Sequence, residues 1–247
     1  MLIKKNLKLF LVLFIIAATL LVAWVSLFVT GYLEKEDPLE TDQEKKNMSI
    51  INLPEPKKDS RTSLERAIEN RRSIRSYSGE ALGLEDLSQL LWSAQGITDV
   101  REGLRAAPSA GALYPLEVYA VVSNDQELAA GVYKYSVDEH SLKRVREGDF
   151  SQKLAEAALN QMFVNEAPVN LVIGGDYSVT ADRYGDRAEQ YVHIEVGHAS
   201  QNVLLQATSL NLGAVPIGAF DEGRLSEILH LPENKTPLYV IPIGKIE

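Results

Sequence analysis

"ENRRSIRSYSGE", residues 69–80, sets Arg71, Arg72 and Arg75 within five positions of one another in a chain of formal charge −9. Guanidiniums packed so closely repel unless water solvates them or they share an anion. Two readings stand at this point. The arginines can close a helix, where cations favour the negative end of the macrodipole. Alternatively, with the Ser73 hydroxyl between them, they can hold a phosphate monoester, since guanidinium forks match phosphate oxygens two at a time. Each charge-assisted hydrogen bond to such an anion contributes about 1.5–3 kcal/mol. Upstream, Thr62 and Glu65 have capping-box spacing and open a helix through about Asn70. Downstream, "SIRSY" turns extended.

Beyond that arm, Leu84, Leu87, Leu91 and Ala94 recur at helical spacing and predict a helix over roughly 84–94. "LEVYAVVS" (116–123) reads as a strand, and "GVYKYSV" with "SLKRVRE" flanks residues 138–140 as a hairpin. A helix is expected from about Phe150 to Phe163. "VNLVIGG" (169–175) is almost continuously apolar, so it should be a strand covered on both faces. Residues 188–211 predict a long helix, apolar on most sides, for deep burial or a subunit interface. "AVPIGAF" (214–220) enters a loop, 223–230 is a brief helix, and "PLYVIPIG" (237–244) is the last strand. Without strict strand–helix alternation, the class is α+β.

The N-terminus is different in kind. Residues 9–33 carry no charge over 25 positions, and as a helix would extend about 37 Å against a hydrocarbon core of about 30 Å. They predict an uncleaved single-pass membrane anchor over 1–33, in contact with the lipid bilayer. Lys4, Lys5 and Lys8 on the short side favour an extracytoplasmic domain. Residues 34–60 are charged and broken by Pro38, Pro54 and Pro56, a tether leading to one domain over 61–247. From Glu34 onward, 22 basic residues face 34 acidic ones, which argues against nucleic acid as a partner. With no cysteine, thiolate catalysis and zinc–thiolate sites are excluded.

Two further stretches lack long reactive side chains. "APSAGALYP" (107–115) offers small residues whose backbone can approach a flat ligand, although it also has the composition of an ordinary surface turn. "GAVPIGAFD" (213–221) places Pro216 and Gly218 at the end of a buried strand. In order with "LERAIENRRSIRSYSG", "LSQLLWSAQGIT", "RYGDR", "IEVGHASQNVLLQATSLNLGAVPIGAFD" and the final "PLYVIPIG", these stretches resemble the nitroreductase family. More narrowly they resemble its SagB-type branch, related to dehydrogenases that oxidise thiazolines and oxazolines in modified peptides.

The resemblance implies a central mixed, mainly antiparallel sheet flanked by helices, a homodimer, and FMN as the cofactor. It implies that Arg71, Arg72, Ser73 and Arg75 hold the FMN phosphate. Pro108, Ser109, Ala110, Gly111 and Ala112 would lie under the isoalloxazine, reached from the partner subunit. Pro216, Ile217, Gly218 and Ala219 would border the ring near N5, Gln161 its pyrimidine edge, and Lys245 the phosphate. NAD(P)H would be a transient donor, because no GxGxxG fingerprint is present. No protein nucleophile is required. The branch's Lys-Tyr pair has Arg183-Tyr184 as its nearest counterpart, and arginine is too basic to exchange protons as lysine does. The expected function is a membrane-anchored FMN oxidoreductase acting on small molecules. The alternatives are an azoline-oxidising dehydrogenase of a peptide and a non-catalytic flavin-binding module. His193 and His198 are badly spaced for a metal, and Glu195 with His198 reads as a buried structural pair.

Overall fold

The computed structural model describes residues 50–123 and 125–246, together with Leu21 and Trp24. Two units separate in the chain, Met1–Asn47 and Met48–Glu247, and the fold belongs to the second. Its strands are β1 (Ile50–Asn52), β2 (Ile97–Asp99), β3 (Leu104–Arg105), β4 (Leu116–Val122), β5 (Gly131–Ser136), β6 (Ser141–Glu147), β7 (Val169–Gly175), β8 (Leu212–Ala214) and β9 (Thr236–Lys245). Seven of them form one sheet in the order β1-β6-β5-β4-β7-β9-β8, and β2 pairs with β3 apart from it. Every neighbouring pair in the large sheet is antiparallel. Among the described residues, parallel pairing is confined to isolated bridges, Ser73 with Ala214 and Leu82 with Asp125.

The apolar run of β7 is buried at all seven positions, as its lack of alternation predicts. Leu171 and Ile173 face a layer made by α2 (Leu84–Gln95) and α6 (Ala188–Ser209), which contributes Leu87, Leu91, Val196 and Val203. Val172 faces the opposite layer, made by α3 (Ser151–Ala157), α4 (Phe163–Glu166) and α7 (Glu222–Leu229). Each buried Leu or Ile contributes about 1.5–3 kcal/mol.

Several boundaries differ from expectation for local reasons. α1 (Leu64–Asn70) starts one residue late, because Ser63 rather than Thr62 is the cap, its Oγ accepting the Arg66 N–H at 3.3 Å. The helix expected over 150–163 breaks where Leu159 and Asn160 take positive φ of 57° and 61°, a conformation asparagine tolerates. α5 (Tyr177–Tyr184), not anticipated, is nucleated by the Asp176 carboxylate accepting the Ser178 N–H at 3.0 Å. Ile50–Asn52, placed by the sequence in the tether, instead adds an edge strand, with Ile51 opposite Leu142.

The membrane location is corrected. Among the described residues no helix is long and apolar enough to cross a membrane. The longest, α6 with 22 residues, carries Glu189, His193 and Glu195 and packs within the domain. Residues 9–33, on which the single-pass, extracytoplasmic expectation rested, lie outside the described residues apart from Leu21 and Trp24.

On β4, Glu117 accepts from Lys134 Nζ at 2.7 Å, Lys235 Nζ at 2.5 Å and the Tyr119 hydroxyl at 2.7 Å. Burial pushes its carboxyl up, but the two ammonium groups and the phenol outweigh that and hold it below the ordinary range. A depressed folded pKa means the stabilisation is present above the unfolded value and is lost as pH falls through the folded one. Glu117→Gln should therefore lower Tm at pH 7 by about 3–8 °C, for a loss of about 1–2 kcal/mol. In circular-dichroism melts the gap from wild type should close toward pH 3. A gap that stays constant with pH would assign the loss to shape rather than charge.

Candidate functional site

α1 ends as Arg71 leaves the helix at φ −56°, ψ 124°, its N–H still bonded to the Ala67 carbonyl. Arg72 Nη1 folds back onto the carbonyls of Glu69 and Arg71 at 2.8 and 2.7 Å, so this arginine does close the helix. Arg71 and Arg75 do not. Among the described residues neither makes an ion pair with a carboxylate, and Arg75 lies over the Phe163 ring at 5.7 Å.

The arm that carries them is fastened to the sheet edge. Ile74 N–H bonds the Ala214 carbonyl at 3.1 Å, and Ser78 N–H bonds that of Lys245 at 2.9 Å. Two glycines allow this approach. A Cβ on Gly213 would stand 2.7 Å from Ile74 Cγ2, and one on Gly244 would stand 2.9 Å from Tyr77 Cγ. The Tyr77 hydroxyl donates to the carbonyls of Ile74 and Pro242 at 3.2 and 3.3 Å.

β8 continues into residues 216–219, where Ile217 exchanges both backbone hydrogen bonds with Val240 at 2.8 and 3.0 Å. Gly218 and Ala219 are exposed beyond it. Gln161 Nε2 donates to the carbonyls of Ala158 at 2.8 Å and Ala219 at 3.4 Å, tying the two turns together. Arg75, Gln161 and residues 216–219 thus gather on the α3, α4 and α7 side of the sheet, with Phe163 and Ile217 in its apolar layer. Lys245 ends the last strand of the sheet. Register pairs it with Leu212, whose side chain belongs to the α2 and α6 layer, and its Nζ is taken by Glu80 Oε2 at 3.1 Å.

The turn over residues 108–112 follows buried Ala107 on that other side. Its φ values are +63° at Gly111, +53° at Ala112 and +51° at Tyr114. A left-handed conformation costs a non-glycine residue about 1–2 kcal/mol, so local bonds must hold it. Tyr114 N–H donates to Ser109 Oγ at 2.9 Å, and that hydroxyl donates to Glu195 Oε2 at 2.5 Å. Arg105 N–H donates to the Tyr114 hydroxyl at 3.2 Å, and its guanidinium lies over the Tyr114 ring at 4.6 Å. Arg183 Nη1 donates to the Gly111 carbonyl at 3.4 Å. A Cβ on Gly111 would come within 2.7 Å of Arg183 Nη1 and 2.8 Å of the Tyr184 hydroxyl, so both members of the Arg-Tyr pair border this turn.

Sequence reasoning misses Glu195. It does not pair with His198, which is exposed; its side chain is buried and turned to Ser109. Burial pushes its carboxyl up to about 7, against the opposing influence of Ser109, Arg105 and Gln95. The available signal was a lone carboxylate within the apolar "IEVGHAS". Among the described residues no group of histidines and carboxylates could hold a metal.

The anticipated residues therefore fall in two places, with Arg75, Gln161 and residues 216–219 beside the α3, α4 and α7 layer and the 108–112 turn beside the α2 and α6 layer. Among the described residues no hydrogen bond, ion pair or ring contact joins the two. The chemistry of the first group fits a phosphorylated planar ligand. Arg71 and Arg75 flank Ser73 without carboxylate partners, and at Gly218 an added Cβ would meet nothing within 4 Å, leaving room beside bare backbone.

The Nitroreductase family model matches residues 68–245. A protein of Methanocaldococcus jannaschii named as a nitroreductase is 46% identical over 182 residues, covering 74% of this chain and 90% of the relative. An FMN reductase [NAD(P)H] of Bacillus subtilis is 25% identical over 193 residues, covering 72% of this chain and 64% of the relative. A crystal structure described as a nitroreductase from Ralstonia eutropha superposes with a TM-score of 0.71 at 29% identity, covering 80% of this chain and 90% of that one. Together with the antiparallel sheet and the arginine arm at its edge, the matched span is decisive: the chain belongs to the nitroreductase family of oxidoreductases.

Proposed function

We propose that the protein is an FMN-dependent oxidoreductase that works as a homodimer, taking electrons from NAD(P)H or another donor and passing them to a small electron-poor acceptor. The observation that carries this is the division of the site between the two faces of the sheet. Two copies related by a twofold axis can each offer an arm to the turn of the other, which brings both groups onto one ligand. Exposed Leu64 and Ile68 on α1 and Ile194 on α6 supply apolar surface for such pairing. Bound flavin supplies the hydride and electron chemistry. Arg71, Ser73 and Arg75 would hold its phosphate, Gln161 and the backbone of 216–219 would border its ring, and the 108–112 turn of the second copy would cover it. Similarity to an FMN reductase supports the choice of flavin.

The full chain should purify yellow, release FMN on denaturation, sediment as a dimer and lose its flavin colour when mixed anaerobically with NADH or NADPH. A colourless monomer that takes up no flavin would overturn the proposal. Flavin that binds but is never reduced by any donor would leave only a binding module.

A second reading, oxidation of azoline rings in a modified peptide, draws on Arg183 and Tyr184 bordering the 108–112 turn. Arginine in place of lysine removes the proton carrier that such a step uses. Turnover of a thiazoline-containing peptide would favour this reading, and turnover of small acceptors alone would dismiss it.

A further inference from the structure

We propose that Glu195 is a positioning residue for the flavin: through Ser109 it fixes the shape of the 108–114 turn, and its ionisation tightens that turn. The inference rests on the FMN reading above. The Ser109 hydroxyl has one proton, and because its oxygen accepts the Tyr114 N–H at 2.9 Å, that proton is committed to Glu195 Oε2 at 2.5 Å. Glu195 is 2% exposed, which places its carboxyl in the protein interior.

Among the described residues, its other oxygen, Oε1, has no close hydrogen-bond partner, and neither does Gln95 Nε2, whose amide oxygen is held by Arg105 Nη1 at 3.1 Å. Glu195 thus stands between two arms of one network, with Arg105 and Gln95 on one side and Ser109 and Tyr114 on the other. When ionised, Oε2 draws the serine hydroxyl by a charge-assisted bond, roughly twice as strong as a neutral one. When protonated, the carboxyl keeps only the weaker neutral bond to Ser109, and its Oε1 loses the charge that attracts the Gln95 Nε2 donor. Burial lifts the carboxyl to about 7, so both forms are populated near neutrality.

The charged and titratable groups around it are few. Arg105 approaches from β3, Gln95 from the end of α2, and Ser109 from the turn itself. Arg183 of α5 reaches the same turn at Gly111. On α6, Tyr191 and exposed His198 lie one turn to either side. Replacing Glu195 by glutamine leaves all of these in place and keeps an oxygen to accept the Ser109 hydroxyl, while removing the titration.

The test measures FMN dissociation constants for the full-length wild type and for Glu195→Gln between pH 6 and 8. Taking the ratio of the two profiles cancels the ionisation of the FMN phosphate. Relative to the variant, wild-type affinity should rise about fivefold across pH 7. Linkage then requires FMN binding at pH 7 to release a fraction of a proton in wild type beyond that in the variant, readable with an indicator dye. Glu195→Ala and Ser109→Ala should each weaken binding, and combining them should cost less than their sum. Parallel wild-type and Glu195→Gln profiles with no difference in proton release would overturn the inference while leaving the FMN reading intact. Failure of wild type to bind FMN at any pH would instead overturn that reading and, with it, this one.

Discussion

Replacing Arg71 and Arg75 together with alanine should weaken FMN binding by about 10²- to 10⁴-fold, while binding of riboflavin, which lacks the phosphate, changes little. The magnitude follows from two charge-assisted contacts at about 1.5–3 kcal/mol each, with every 1.4 kcal/mol worth about tenfold. The choice of residues follows from what each guanidinium already does. Arg72 is spent on the carbonyls of Glu69 and Arg71 and should matter less. Arg71 and Arg75 have no carboxylate partner among the described residues, so removing them strands no buried charge and should leave Tm almost unchanged. Fluorescence titration of both flavins against the double variant decides it. FMN affinity within threefold of wild type would place the phosphate elsewhere, and equal losses for FMN and riboflavin would point to general disruption.

Gly244→Val should lower Tm by about 2–12 °C and release flavin as well, although residue 244 lies on a strand and carries no ligand-binding group. A Cβ there would come within 2.9 Å of Pro168 Cδ on one side and of the Tyr77 ring on the other. Overpacking of this kind costs about 1–3 kcal/mol, which in a domain of this size moves Tm by about 2–4 °C per kcal/mol. Tyr77 is the peg of the arginine arm, its hydroxyl bonded to Ile74 and Pro242 carbonyls. Pushing it outward shifts Arg71 to Arg75 relative to residues 216–219. Adding Tyr77→Ala should recover part of the stability, a non-additivity that locates the clash. If the double variant is simply the sum of two losses, the valine acts through the strand rather than the arm.

The strands of the core were legible because their chemistry is local. Continuous burial at 169–175 and the aromatic, β-branched run at 116–122 match β7 and β4 with hardly a change of boundary. What escaped notice depends on partners distant in sequence. Ile50–Asn52 is a strand only because β6 offers it an edge, and nothing in three residues beside a proline-rich segment advertises that. α5 contains Val179 and Thr180, poor helix formers, and exists through the Asp176 cap. The break at Leu159 and Asn160 is a backbone choice that periodicity cannot register. At the site, small-residue turns were visible as places where backbone is bare. The partner of Glu195 was misread because helix phase turns its side chain to Ser109 rather than to His198.

The partition of the binding groups across the sheet has a consequence for how the protein acquires its cofactor. On the proposed pairing, a lone chain exposes two half-receptacles that face away from each other and has no enclosed berth for a heterocycle. Loading then becomes coupled to subunit encounter: each flavin acts as mortar between protomers, and each encounter completes a berth. Holoprotein content would scale with the square of chain concentration when protein is scarce, so that dilution alone could strip the pigment without unfolding a single strand.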